Sequence, residues 1–514
     1  MDDGTCRIGL NCTQVLETTI FSPLDMPAES DTLYRIPRCL SGGQPSVPLG
    51  MKETPMGHSQ HMDMLHGPLM GKLIMFALPI ALSSIMQQLF ISANVAVVGH
   101  FVGAQAVAAV GGNGPIVNLI INLFLGLSVG ANVVIARYVG REDVNECQAA
   151  VHTVMAVSLL SGLFLLVAGQ FLAPLMLRLV DVPHDVMDLA VLYLRIYFIG
   201  MPCVMIYNFG AAVLRSVGDT KRPMYSLIAA GVVNVSLSLI LVIGFDMGVA
   251  GVGIATLSGN VISAGLVIWF LLTEDDLIRL NLRKLTIVRI HLSRVIRIGA
   301  PAGLQGMIFS LSNVCILSGI NGFGSATAAG SAAAINFEFF SFFFINGFCQ
   351  ATVTFTSQNY AMCQIDRCRK VFRESMACGI LLSGATCLLF TLGAAFFCGL
   401  YTSDPEVIRQ AVTRVSIVES MQWLSATYEI SGAALRGMGV SMLPAMVTLI
   451  GSCLLRIVWV YTVFPLNPTY EMLLTVYPVS WAITGVIMLT AYFIIRRRLF
   501  AERGDGGYCK PLEF

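Results

Sequence analysis

Charged side chains inside long apolar runs are the residues here whose chemistry needs explaining. Glu338 sits in the phenylalanine run Phe337, Phe339, Phe340, Phe342, Phe343 and Phe344. Glu419, Glu429, Arg414 and Arg456 lie in later apolar runs, and Arg195 in an earlier one. An ionised group is costly in a low-dielectric medium, so each of these needs a partner or a task. Glu338 lies about 12 residues into its run, Glu419 about 14 and Arg456 about 13. At a helical rise of 1.5 Å per residue, all three fall roughly 18–21 Å from a helix end. Running directions then put them near one level, with Arg414 nearer the outside. Two readings follow. Arg456 neutralises Glu338 or Glu419 in an ion-pair network, since a buried pair costs less than a lone charge. Alternatively one glutamate carries H+, or helps bind Na+ or a cationic substrate, with Arg456 biasing its protonation. Glu338 is the preferred carrier, because a carboxylate beside aromatic faces suits a lipophilic cation. The same phenylalanines also read as plain lipid-facing bulk. Gln87, Gln88, Gln305 and Asn313 offer amides that could orient a substrate or bridge helices.

The elements that carry these charges must be membrane helices. The 514 residues are 56% hydrophobic and 12% charged, with mean hydropathy +0.76. A soluble domain carries about 25% charged residues. Stretches long enough to cross a bilayer run over 72–98, 107–136, 149–177, 186–214, 223–245 and 249–273. Six more follow at 296–320, 327–357, 374–399, 406–435, 443–464 and 472–495. An open sheet leaves its backbone unsatisfied in lipid, so these are helices. Alternate loops collect Lys and Arg, as at Arg137, Arg141, Lys221, Arg222, Arg367, Arg369, Lys370 and Arg496 to Arg498. The intervening loops carry Asp181, Asp185, Asp246, Asp404 and Glu471. Basic loops stay in the cytoplasm, which places both termini there. Residues 1–66 are polar and rich in Pro, Ser and Gly, and lack the basic-then-apolar order of a signal peptide. They read as a disordered cytoplasmic tail, with Met62 or Met64 as an alternative start. Net charge is +1, so no bulk attraction to nucleic acid is implied. The 14 cysteines are scattered without a CxxC pair, and the lone HxxH of His58 and His61 is too weak for a metal site.

The chain repeats itself. Pro79 and Pro301, in FALPIALS and IGAPAGLQ, are 222 residues apart. Arg215 and Arg436 are 221 apart, as are Pro223 and Pro444, and Gly126 and Gly347. A constant offset over this length means duplication. Each half has six spans, an even number, so both enter the membrane the same way round, as parallel repeats. The reading is an N-lobe at 67–273, a cytoplasmic linker at 274–295, a C-lobe at 296–498 and a C-terminal tail at 499–514. In parallel-repeat folds the substrate path lies between the halves.

Several segments carry a family resemblance. LRSVGDTKRPM (214–224), VVNVSLSLILVIGFDMGVAGVGIATLSG (232–259), VVGHFVGAQAVAAVGGNGPIVNLI (97–120), GLSVGANVVIARYVG (126–140) and TFTSQNYA (354–361) resemble the multidrug and toxic compound extrusion (MATE) family. The likeness runs from about residue 68 to 498. It implies an all-α polytopic membrane protein, with twelve helices in two pseudo-symmetric six-helix lobes forming a V. It also implies export of amphipathic, often cationic compounds, driven by inward H+ or Na+ and needing no other cofactor. The chain departs from the family where many members carry an aspartate in the first helix, for here stands Asn94. The fifth-helix Asn-x-x-x-Asp reads Asn234-Val-Ser-Leu-Ser238, and the sixth-helix threonine matches Thr256. That neutral cluster cannot carry a proton. It either hydrogen-bonds substrate, water or weakly held Na+, or ties packed helices together.

The alternative function is a lipid-linked precursor flippase, which shares a lobed architecture but has a strongly basic central cavity or extra helices. No HExxH or GxxxxGK[ST] motif appears, which argues against an enzyme. The expected setting is the bacterial inner membrane, with the bilayer and small amphipathic molecules as partners and a monomeric state.

Overall fold

The computed structural model describes residues 61–111, 114–179, 184–274 and 277–504. Every regular element among them is helical. The first repeat comprises α1 (Leu69–Phe101), a short α2 (Ala104–Gly111), α3 (Gly114–Gly140), α4 (Val144–Leu179), α5 (His184–Ile199), α6 (Met201–Ser216), α7 (Lys221–Leu239) and α8 (Gly248–Thr273). The second comprises α9 (Arg289–Asn321), α10 (Ser325–Ala361), α11 (Ile365–Leu392), α12 (Ala394–Gly399), α13 (Pro405–Ile417), α14 (Ser425–Gly437), α15 (Met442–Thr448), α16 (Leu455–Thr462), α17 (Tyr470–Leu474) and α18 (Val476–Gly504). Ten segments are singly long and apolar enough to cross a bilayer. The pair α5–α6, bent by 47°, makes an eleventh. Pro202 at the start of α6 cannot donate the next helical hydrogen bond, which fixes the bend at Gly200. The twelfth segment, α13–α14, is broken by the 3-10 turn Glu419–Leu424. The twelve-span reading therefore stands, with two spans interrupted.

The repeats meet through helices stripped of side chains. Gly126 and Gly130 of α3 face Gly299 and Gly303 of α9, a small-xxx-small pattern on both partners. A Cβ on Gly126 would lie 2.0 Å from the Gly303 nitrogen, and one on Gly303 would lie 2.2 Å from the Leu123 carbonyl oxygen. The repeat-related crossing of α10 on α1 uses Gly347, where a Cβ would come within 2.6 Å of the Ala77 oxygen. Hydrogen bonds continue this contact toward the end that carries the basic loops. Gln358 Nε2 donates to the Ser216 carbonyl at 2.7 Å. Arg137 Nη2 donates to the Gly437 carbonyl at 3.2 Å. Thr354 donates to Asn132 at 2.9 Å.

Boundaries shift in three places. Residues 1–60 and 505–514 lie outside the described residues, so most of the two expected tails does too. Residues 61–66, expected in the N-terminal tail, pack against the basic end instead: the Met64 side chain is buried, and the Met62 N–H donates to the Val217 carbonyl at 3.1 Å. Helix α9 begins at Arg289, inside the expected linker, and α18 runs on to Gly504.

Candidate functional site

Between the repeats lies a cavity of ≈ 930 Å³. It extends from Arg215 and Arg436, beside the basic loops, to Ile320 and Ser331 near the opposite helix ends. The first repeat contributes Gln87, Asn122, Tyr207 and Asn208 to its wall, and the second Gln305, Asn313, Asn346, Gln350 and Gln422. Phe309, Phe339, Phe342, Tyr428, Tyr477 and Trp481 supply aromatic faces. Such a lining, mostly apolar with convergent polar groups, suits a small-molecule ligand. The phenylalanine run is divided by its helix: Phe339 and Phe342 face the cavity, while Phe337 packs on Phe390 and Phe397.

Charge pairing differs from the expected network. Glu338 is held by Arg414, not Arg456, through two bonds: Nε to Oε1 at 2.6 Å and Nη2 to Oε2 at 2.9 Å. Arg414 also donates to Ser331 at 2.9 Å. A helix-depth argument separates Glu338 and Arg414 by roughly 6 Å, four residues of rise. An arginine side chain covers that gap, and allowing for its reach is what would have found the pair. Arg456 donates to Asn313 at 3.0 Å and Ser480 at 3.2 Å. Its guanidinium lies 4.5 Å from the Tyr477 ring centre and 5.0 Å from that of Phe309. Glu419 is wholly buried at the head of the 3-10 interruption. It accepts a hydrogen bond from Ser341, while its second oxygen accepts no such bond among the described residues. On the cavity floor Arg436 sits 3.8 Å from Glu429 and donates to Gln305 at 3.3 Å. Arg195 is exposed and away from the cavity lining.

The neutral cluster of the first repeat stands apart from the cavity. Asn94 donates to Thr256 at 3.3 Å and accepts from Ser238 at 3.1 Å. Ser238 also reaches Asn234 at 3.5 Å, and Thr256 bonds back to the Val252 carbonyl. Asn94, Ser238 and Asn234 are buried, and none of the four lines the cavity. Their polar groups serve one another across α1, α7 and α8. Gln87 and Gln305 do line the cavity. The repeats are thus unequal. The positions 221 residues before Glu338, Arg414, Glu419 and Arg456 hold Val117, Tyr193, Phe198 and Val235. Buried charge is concentrated in the second repeat.

The MatE family model matches residues 79–240 and again 301–462, one copy per repeat. The chain belongs to the MatE family. Among curated relatives, this MatE chain is 25% identical over 385 residues to "Probable multidrug resistance protein YoeA" of Bacillus subtilis, covering 73% of this chain and 82% of that one. It is 24% identical to "Probable multidrug resistance protein NorM" of Thermotoga maritima, covering 74% and 82%. Among solved structures, an "Outward-facing conformation of a multidrug resistance MATE family transporter of the MOP superfamily" aligns with TM-score 0.80 at 19% identity, covering 86% of this chain and 99% of that one. A MOP superfamily transporter from Pyrococcus furiosus, described by "Reverse polarity of binding pocket", aligns equally well, also at TM-score 0.80 and 19% identity with the same coverage. The solved structures establish the MATE fold, and the family match makes the chain a multi-pass membrane transporter.

Proposed function

We propose that this chain is a secondary active exporter of amphipathic small molecules. Inward H+ or Na+ drives it by alternating access, and it works as a monomer in the bacterial inner membrane with both termini in the cytoplasm. The observation that carries the reading is the cavity between the repeats, sealed toward the basic loops and reaching the other end of the bundle. This arrangement is the outward-facing half of such a cycle. The multidrug resistance names of the relatives support export. Coupling falls to Glu419 rather than Glu338. Glu338 already has a counter-charge in Arg414. Among the described residues no cation pairs with Glu419, and an unpaired buried carboxylate is costly. An incoming proton or Na+ cancels that charge, and the 3-10 interruption beside it gives the helix a place to bend.

The test is dye efflux from proteoliposomes with H+ and Na+ gradients imposed separately. Efflux driven by one gradient, lost in Glu419→Gln and kept in Glu338→Gln, is the expected result. Loss only in Glu338→Gln would move coupling to that residue. No efflux under either gradient, from folded protein, would overturn export. It would favour the second reading, a lipid-linked precursor flippase, tested by rescue of a flippase-depleted strain. The four cavity arginines, Arg215, Arg414, Arg436 and Arg456, are what keep that reading in view.

A further inference from the structure

We propose that the molecule carried in this cavity is an amphipathic organic anion. Its acid group is held by Arg456 and its apolar body lies along Phe309, Tyr477 and Trp481. The inference rests on the export reading and names the substrate class of that same site. The cavity lining holds four arginines and only two glutamates. Both glutamates are already committed, Glu338 to Arg414 and Glu429 to Arg436. Two positive charges, Arg215 and Arg456, are left over. Neither has a carboxylate within ion-pairing distance among the described residues. A cationic guest would find its two carboxylates already occupied and, beside it, two guanidiniums with no carboxylate of their own.

Arg456 is built as a receptor. It is 1% exposed, so its charge is largely stripped of water, a state that calls for a counter-charge. Asn313 and Ser480 fix the guanidinium through Nη1 and Nε, while the buried Nη2 has no hydrogen-bond partner among the described residues. An arginine held still with open donors matches a carboxylate, sulfonate or phosphate head. The rings flanking it give the rest of an amphiphile an apolar surface. Arg215 repeats the theme on the floor, where its Nε is buried without a hydrogen-bond partner among the described residues. Its repeat mate Arg436 has Glu429 nearby, but the position equivalent to Glu429 in the first repeat is Asn208. The first repeat therefore lacks the carboxylate that would have neutralised Arg215.

The experiment compares two dyes on one ring system, sulforhodamine B, a net anion, and rhodamine 6G, a cation. Binding to the full chain in detergent is read by fluorescence polarisation, and export by the proteoliposome assay. We expect sulforhodamine B to bind at least tenfold tighter than rhodamine 6G. Arg456→Gln should weaken it at least tenfold without weakening rhodamine 6G, and Arg456→Lys should recover part of the loss. Arg195→Gln, outside the cavity, should change neither. If Arg456→Gln fails to fold, Arg456→Lys and Arg215→Gln carry the test, each expected to weaken only the anionic dye. Tighter binding and export of rhodamine 6G would overturn the inference and leave export standing. Sulforhodamine B binding that ignores the arginine substitutions would also overturn it. Binding and export of neither dye would remove both readings.

Discussion

Glu338 and Arg414 form a two-bond ion pair inside a membrane protein, and that geometry makes the two residues a unit. Removing only the cation leaves a buried carboxylate unpaired, which costs about 3–5 kcal/mol in such pairs. Arg414→Gln should therefore lower the melting temperature of the detergent-solubilised protein strongly. Glu338→Gln with Arg414→Gln should be milder than the sum of the two single changes, because the double variant buries no charge. Additive effects would mean that the pair does not hold the second repeat together. The sequence placed Glu338, Glu419 and Arg456 at one depth, since depth follows from counting residues along a helix. It could not say which arginine met which glutamate. That choice depends on helix azimuth and side-chain reach, and Arg456 turned toward Asn313 and Ser480 instead. The cluster of Asn94, Asn234, Ser238 and Thr256 was legible as a unit. Whether it faced the cavity was not, because inward-facing and cavity-facing polar residues are spelled alike.

Elements were easier to read than contacts. Spans declare themselves by length and hydropathy, and Pro202 announces the bend after Ile199. The interruption at Glu419–Leu424 has neither Gly nor Pro to announce it. The segment at 61–66 has a polar composition that matches the tail before it, while its order comes from partners elsewhere in the chain. Arg367 donates to the carbonyls of Met64, His66 and Gly67 at 2.8–3.0 Å, and Asn359 donates to Met64 at 3.2 Å. On the other repeat His61 meets Glu274 at 2.8 Å, and Arg222 binds the same carboxylate. The segment therefore straps one repeat to the other. Burial pushes the Glu274 carboxyl up, but the hydrogen bonds from His61 and Arg222 and their charges outweigh it, leaving it below its ordinary value. A carboxyl depressed by folding stabilises the fold fully above its unfolded value, and that contribution disappears as pH falls through the folded one. The melting-temperature gap between the intact protein and Glu274→Gln should be open above the ordinary glutamate value and close as pH falls below about 4. A gap that stayed open well below that value would contradict this strap.

At the scale of the whole molecule, duplication supplies a pair of similar crossings and the cavity between them. Symmetry alone would leave both ends alike, so the proposed conformational cycle depends on what closes each end. Here the glycine crossing of α3 on α9 and the bonds from Gln358 and Arg137 seal the basic end. For substrate to enter from that side, these contacts must break together. One hydrogen bond contributes about 1 kcal/mol net, and that is roughly fivefold in a two-state population. Gln358→Ala should raise the share of molecules open at the basic end by about that factor, and Arg137→Ala, which removes a charged donor, by more, since neither residue lines the cavity. Amide hydrogen exchange along 126–140 and 347–361 reads that opening directly, and should quicken in both variants while α4 and α8 keep their rates. Exchange that quickened everywhere would mean general loosening rather than a gate. Unchanged exchange in the two segments would place the gate elsewhere, because contacts that cost nothing to remove cannot be what holds an end closed.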